Sequence, residues 1–268
     1  MKLSSSFRPQ KSFQVADRDA AAKPLSSGDK AKDKLAVEAL AEQIAALQDI
    51  FYAEHQRKIL IVLQGMDTSG KDGTVRGVFT RIDPLGIRTV AFKAPTAAER
   101  EHDYLWRVHT QVPGQGEMVI FNRSHYEEVL ITRVHDWIDD AECKRRYQHI
   151  RDLERMLAET GTVILKFFLH ISKDEQKRRL QARIADPDKH WKFDLQDLAE
   201  RKFWDAYQTL YSKAINETDA DHAPWYVIPA DSKTQRNLAI ATIMQETLQQ
   251  MRLRYPPAKP ELAKLVIE

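Results

Sequence analysis

Five apolar runs of strand length, at 58–64, 89–92, 117–121, 162–171 and 225–230, are separated in this chain by longer segments whose apolar residues recur at helical spacing. Such alternation predicts a parallel sheet with crossover helices. Parallel neighbours need a long connection between them, and strands covered on both faces read as unbroken apolar stretches. Three intervening segments carry Tyr126, Val129, Leu130, Val134 and Trp137, then Tyr147, Ile150, Leu153, Met156 and Leu157, then Leu198, Tyr207, Leu210 and Tyr211. All of these are expected to be core. Ahead of the first run, Leu40, Ile44, Leu47 and Phe51 mark one face of an amphipathic helix between Lys30 and Gln56. With 268 residues, 43% of them hydrophobic, the chain can bury such a core as one large domain or two small ones.

Residues 1 to about 30 mix Ser, Lys, Asp, Ala and Pro without periodicity and are expected to form a flexible or wrapping arm. They contain no apolar stretch of the kind a secretory signal needs. At the other end, the sequence Tyr255-Pro-Pro-Ala-Lys-Pro should end the last helix and open a tail over 256–268. Lys and Arg number 41 against 39 Asp and Glu, a formal charge of +2, so a general nucleic-acid binder is not expected and any anion site must be local. Cys143 is the only cysteine, which excludes an internal disulfide and a cysteine-based zinc site. It lies among Glu142, Lys144 and Arg145, where an exposed, inert position on a helix is expected. No run approaches the roughly 20 apolar residues of a membrane span, and the cytoplasm is the expected location, with no membrane partner.

The first run ends in Gln64-Gly65-Met66-Asp67-Thr68-Ser69-Gly70-Lys71-Asp72-Gly73. This fits G-x-x-x-x-G-K after a strand and before a helical segment, the context a phosphate-binding loop requires. Gly65 and Gly70 let the backbone curl so that N–H groups converge on phosphate, the new helix aims its positive end there, and Lys71 adds a mobile cation. A Gly-rich turn with an exposed lysine is the plain alternative. Walker loops follow the lysine with Ser or Thr, whereas Asp72 stands here and a second carboxylate, Asp67, lies inside the loop. Carboxylates facing phosphate repel it unless a divalent cation lies between. Asp67 is therefore expected to hold magnesium, directly or through water, while Asp72 is either part of that arrangement or a helix N-terminal acid favoured by the dipole. The third run leads into Asn122-Arg123-Ser124-His125-Tyr126-Glu127-Glu128, where Asn122 could orient a metal-bound water. Arg123 could contact phosphate bidentately or pair with Glu127 or Glu128. Between Lys177 and Trp204, cations at Arg178, Arg179, Arg183, Lys189, Lys192, Arg201 and Lys202 surround a break at Asp186-Pro187. That segment reads as a flap able to close over phosphates or as an ordinary helical hairpin. The nine histidines form no metal-ligand pair, and no G-x-S-x-G elbow occurs.

Together, GMDTSGKDG, FKAPT, FNRSHYEEVL, RIADPDKHWKFDLQDLAERKFWDAY and APWYVIPADSKTQRNLAI resemble, in order, the signature blocks of the second polyphosphate kinase family, over about Leu35 to Leu253. The resemblance implies an α/β P-loop kinase fold similar to thymidylate kinase: three layers around a five-stranded parallel sheet, a helical lid at about 178–205 and an N-terminal helical extension. It makes 31–255 the phosphotransferase domain. It also implies transfer of phosphoryl groups between inorganic polyphosphate and nucleotides with Mg2+ or Mn2+, and assembly as a homodimer or homotetramer. Carried over by position, Asp67 supports magnesium, and Lys71, Arg123 and the lid residue Arg183 contact phosphate. Gly65, Met66, Thr68, Ser69, Gly70, Asp72, Gly73, Lys93, Asn122, Glu127 and Lys189 are further candidates for phosphate or nucleotide contact. Many members have Asp where this chain has Asn122 and Asn where it has Glu127. These two residues, with the SGKDG loop, resemble the class III subgroup, which phosphorylates both nucleoside monophosphates and diphosphates. AMP and ADP are the expected acceptors, with guanine nucleotides as candidates. The rivals are an ATP-dependent monophosphate kinase of the thymidylate type and a P-loop protein that binds without turnover.

Overall fold

The structure is a computed structural model and describes residues 2–264 and 267. Helix α1 (Lys30–Glu54) starts where the Asp29 carboxylate accepts from the Ala31 and Lys32 amides, and it stops at His55 in the left-handed conformation. Strand β1 (Lys58–Gln64) follows, then α2 (Lys71–Val78), β2 (Ile87–Ala91), the one-turn helices α3 (Ala97–Arg100) and α4 (Trp106–His109), and β3 (Met118–Asn122). Beyond them lie α5 (Ile131–Val134), α6 (Asp140–Glu159), β4 (Thr162–His170), α7 (Lys173–Ile184), α8 (Leu195–Arg201), α9 (Trp204–Thr218), β5 (Trp225–Pro229) and α10 (Lys233–Gln250).

The sheet is all parallel, in the order β2-β3-β1-β4-β5. This is the five-stranded architecture expected from the apolar runs. With β1 at the centre, its carboxyl end is flanked by β3, where Leu63 pairs with Asn122, and by β4, where Gln64 pairs with Phe168. Side-chain alternation splits the core into two layers. Leu60, Val62, Phe121 and Phe168 pack against α6 and α9 through Tyr147, Ile150 and Trp204, and Ile59, Ile61, Phe167 and Leu169 pack against α1 and α10 through Phe51, Ile240 and Ile243.

Three expectations change. The segment after β3 is a short 3-10 turn, His125–Val129, followed by α5, and Trp137 remains two-thirds exposed. The Ser124 hydroxyl accepts from the Tyr126 amide and starts a tight turn there. Met156 and Leu198 are also exposed. Cys143 does sit on a helix, but on the face of α6 turned into the core, and is fully buried.

The arm lies against the body. Phe7 and Ala20 are buried, and the Leu3 and Ser4 amides donate to the Glu246 carboxylate on α10. Arg8 pairs with Asp219, and Phe13 exchanges two hydrogen bonds with the Asn216 side chain on α9. His170 Nε2 bonds the Ala16 carbonyl, the Lys173 amide donates to Asp17, and the Asp231 amide donates to the Ala20 carbonyl. A segment without hydrophobic periodicity is thus held by main-chain polar groups, which periodicity does not register. The last helix ends at Gln250, ahead of the Pro-rich stretch.

Candidate active site

The loop after β1 is forced into shape by its glycines. Gly65 has φ +148°, and a Cβ there would lie 2.6 Å from the Leu169 carbonyl of the neighbouring strand. Gly70 has φ +106°, and Thr68, which is not a glycine, also adopts a left-handed φ of 65°. Such a backbone costs on the order of 1 kcal/mol for a side-chain-bearing residue and persists where surrounding contacts impose it. Lys71 opens α2 and is 8% exposed. Its Nζ donates to the Gly65 carbonyl at 2.6 Å and the Met66 carbonyl at 3.3 Å. Burial, and then Arg123, lower its pKa, opposed by Asp67, Glu127 and Asp72.

Arg123 follows the last residue of β3, with φ 62° and its amide donating to the Leu63 carbonyl. Its Nη2 donates to Asp67 Oδ1 at 2.6 Å. Burial works against its charge, but Glu127 and Asp67 outweigh burial and hold its pKa above the ordinary guanidinium value. The alternative of an ion pair with Glu127 or Glu128 is not the one found among the described residues. Asp67 is the bonded partner, Glu127 acts through its field, and Glu128 is taken by Arg107 and Arg146. Asn122 Nδ2 donates to Asp72 Oδ1 at 2.6 Å, joining the end of β3 to the start of α2. Asp72 lies in the first helical turn, as the dipole reading expects.

The lid begins at α7, capped by Ser172 on the Glu175 amide, and turns at Asp186-Pro187 through a 3-10 segment, Pro187–Lys192, into α8. Arg183 Nη1 donates to the Lys192 carbonyl at 2.9 Å and lies 3.4 Å from Asp197 Oδ2. Lys189 pairs with Asp186. Burial, and then the charge of Asp67 across the cleft, push the Asp197 carboxyl up to about 6. Between its ordinary value near 3.9 and about 6, the folded state holds a proton that the unfolded state has lost, so stability falls as pH rises through that window. Asp197→Asn should therefore melt a few degrees above the parent at pH 7, with the difference closing towards pH 4. A thermal denaturation series in pH checks this, and a parent that melts higher at pH 7 would refute it.

Loop, β3 end and lid enclose one cleft of about 750 Å³. Of the residues singled out in the sequence, Asp67, Thr68, Gly70, Lys71, Asp72, Gly73, Lys93, Asn122, Arg123, Arg183 and Lys189 line it. Gly65, Met66 and Ser69 are buried in the loop, and Glu127, which does not line the cleft, acts on Arg123 through its charge. Sequence reading missed Arg76, Lys233 and Arg236, and also Trp191, an indole 77% exposed on the lid. Lys233 and Arg236 come from the first turn of α10, and only the sheet order brings that turn beside the loop. In all, eleven lysines and arginines face four aspartates, and no histidine lines the cleft. Among the described residues no cluster of three His, Cys, Asp or Glu is placed to hold a metal by itself.

The sequence pattern of the family described as Polyphosphate kinase 2 matches residues 27–256. The AMP/ADP-polyphosphate phosphotransferase of Meiothermus ruber is 52% identical over 236 residues, covering 87% of this chain and 88% of that protein. The ADP-polyphosphate phosphotransferase of Rhodopseudomonas palustris is 41% identical over 239 residues, covering 85% and 83%. A crystal structure of polyphosphate kinase 2 from Arthrobacter aurescens superposes with a TM-score of 0.93 at 44% identity, covering 96% of this chain and 93% of that one. A match running nearly the length of the chain, with the same cleft-forming segments inside it, makes this protein a member of the polyphosphate kinase 2 family.

Proposed function

We propose that this chain transfers the terminal phosphoryl group of inorganic polyphosphate to AMP or ADP, giving ADP or ATP. The observation that carries the reading is the charge of the cleft. Eleven cations around a phosphate loop far exceed the charge of a single nucleotide, and suit a long polyanion lying beside one. In phosphoryl transfer, negative charge spreads over the moving group, so catalysis comes from alignment and fixed positive charge. Lys71, Arg123 and Arg183 supply that charge from the loop, the end of β3 and the lid. The acceptor is itself an ionised phosphate oxygen and needs no strong base, in keeping with a cleft without histidine. Thr68, Ser69, Gly70 and Gly73 offer backbone to the phosphates, with Lys93, Asn122, Glu127 and Lys189 at the nucleotide and lid sides.

The donor set fits Mg2+ or Mn2+ held jointly by protein and substrate. Magnesium commonly takes one or two carboxylates plus phosphate oxygens and water. Arg123 occupies Oδ1 of Asp67 and leaves Oδ2 without a protein hydrogen bond among the described residues. Asp67 would hold the ion, with Asn122 through water, and the ion would neutralise charge on the transferring group. Residues 31–255 form the phosphotransferase domain, with the lid at about 178–205. We place the protein in the cytoplasm as a homodimer or homotetramer, with guanine nucleotides as further acceptors.

A monophosphate kinase of the thymidylate type would require ATP as donor, and a non-catalytic P-loop protein would form no product. Incubation of ADP with polyphosphate and Mg2+, and no other donor, separates the polyphosphate reading from both. ATP should appear, and AMP, GMP and GDP run in parallel report acceptor choice. Phosphate-dependent thermal stabilisation without product would refute the enzyme reading.

A further inference from the structure

The carbonyls of the phosphate loop are held by two guanidinium groups that themselves line the cleft. Arg179 Nη1 donates to the Thr68 carbonyl at 2.9 Å and the Ser69 carbonyl at 3.2 Å, while its Nη2 donates to the Ala230 and Asp231 carbonyls after β5. Arg236 Nη1 donates to the same Ser69 carbonyl at 3.2 Å. A trans peptide is planar, with its N–H opposite its C=O. Fixing the Ser69 oxygen therefore fixes the direction of the Gly70 amide, which belongs to the same peptide and points the other way, and Gly70 lines the cleft. The approach is close enough that a Cβ on Gly70 would fall 1.7 Å from Arg236 Nη1.

The two arginines differ in one respect. Arg179 has a carboxylate, with Nε donating to Glu175 Oε1 at 2.7 Å. Arg236 has none. Its Nε and Nη2 donate to the neutral Asn237 side chain, it is 2% exposed, and it stands in the first turn of an 18-residue helix, where the dipole disfavours a cation. Burial, followed by the charge of Arg179, lowers its pKa, and no acid opposes either effect. A buried charge without a counter-charge is costly, and a surface cavity lined by this residue is where a counter-charge can enter.

We propose that Arg236, with Arg179, is a positioning residue of the phosphate loop: it holds the Ser69 carbonyl and so fixes the orientation of the Gly70 amide, and the anion bound in the cleft is its missing counter-charge. This rests on the loop being the phosphate site. Arg236 thus acts through the loop, and its removal should affect occupancy and turnover more than folding.

The test compares the parent, Arg236→Gln, Arg236→Lys and Lys71→Ala. Thermal midpoints are measured with and without tripolyphosphate and Mg2+, and kcat and KM with polyphosphate and ADP. Arg236→Gln should melt no lower than the parent when free of anion, show less than half of the parent's shift with tripolyphosphate, and lose about 10- to 100-fold in kcat, the usual effect of removing a group that orients a binding group. Arg236→Lys keeps the charge without the planar fork. It should recover most of the shift while kcat stays several-fold below the parent. A full shift and parental kcat in Arg236→Gln would overturn the proposal, as would a lowered midpoint with intact kcat, the mark of a merely structural residue. If Arg236→Gln fails to fold, a parental kcat in Arg236→Lys overturns it. A parent that tripolyphosphate does not stabilise would remove the phosphate-site reading itself, an outcome distinct from failure of the variants alone.

Discussion

Lys71→Ala should reduce ATP formation from ADP and polyphosphate by about a thousandfold, the scale on which one well-placed cation acts in phosphoryl transfer. It should do so without loss of stability. The ammonium is buried and bonded only to the Gly65 and Met66 carbonyls, and burial is the main cause of its lowered pKa, so the folded chain gains little from the charge. Arg123→Ala and Asp67→Ala should also come close to abolishing turnover, since each removes one member of the pair that joins the loop to the end of β3. Initial rates at saturating ADP, with melting curves on the same samples, make the check. More than a tenth of the parental rate in all three would sink the assignment.

The second large effect is on stability. Beside the central strand, Lys166 on β4 is fully buried and donates to Glu154 Oε2 at 2.6 Å, to the Tyr126 hydroxyl at 3.0 Å and to the Thr218 carbonyl at 2.8 Å. Glu154 also meets the Tyr126 hydroxyl and His125, so the network ties α6, β4, α9 and the turn after Arg123 together. Burial works against both charges, and each is held by the other, Lys166 and His125 keeping Glu154 ionised. Lys166→Met strands a carboxylate in the core and should cost about 3–5 kcal/mol. In a domain of this size that is a fall in melting temperature of about 10 °C. Lys166→Met with Glu154→Leu removes both charges and should recover most of the loss. A single variant within two degrees of the parent, or a double variant no better than the single, would show that the pair is not what holds these elements.

The parts legible in the sequence are those written in adjacent residues. The strands fall within two or three residues of the apolar runs, because a sheet covered on both faces demands unbroken hydrophobic stretches. The loop was legible because its glycines, its lysine and the strand before it are contiguous. What escaped was set by distance along the chain. Arg236 meets Ser69 across 167 positions and Arg123 meets Asp67 across 56. No local pattern chose Asp67 over the nearer Glu127 and Glu128. Glu128 turned away because Arg107 and Arg146 claim it. Trp137 looked like core by spacing alone, but the tight turn begun by Ser124 breaks the helix that would have buried it.

The wrapping arm has a practical consequence. Leu3 is anchored at Glu246, near the far end of α10, and Lys233 at the opposite end lines the cleft. Thirteen residues of helix put these points about 20 Å apart. A carrier domain or solid support joined ahead of Leu3 would hang from the back of the molecule and leave the mouth of the cleft open to solution. A graft between Arg8 and Ala20 would instead tear out the stitches at the root of the lid.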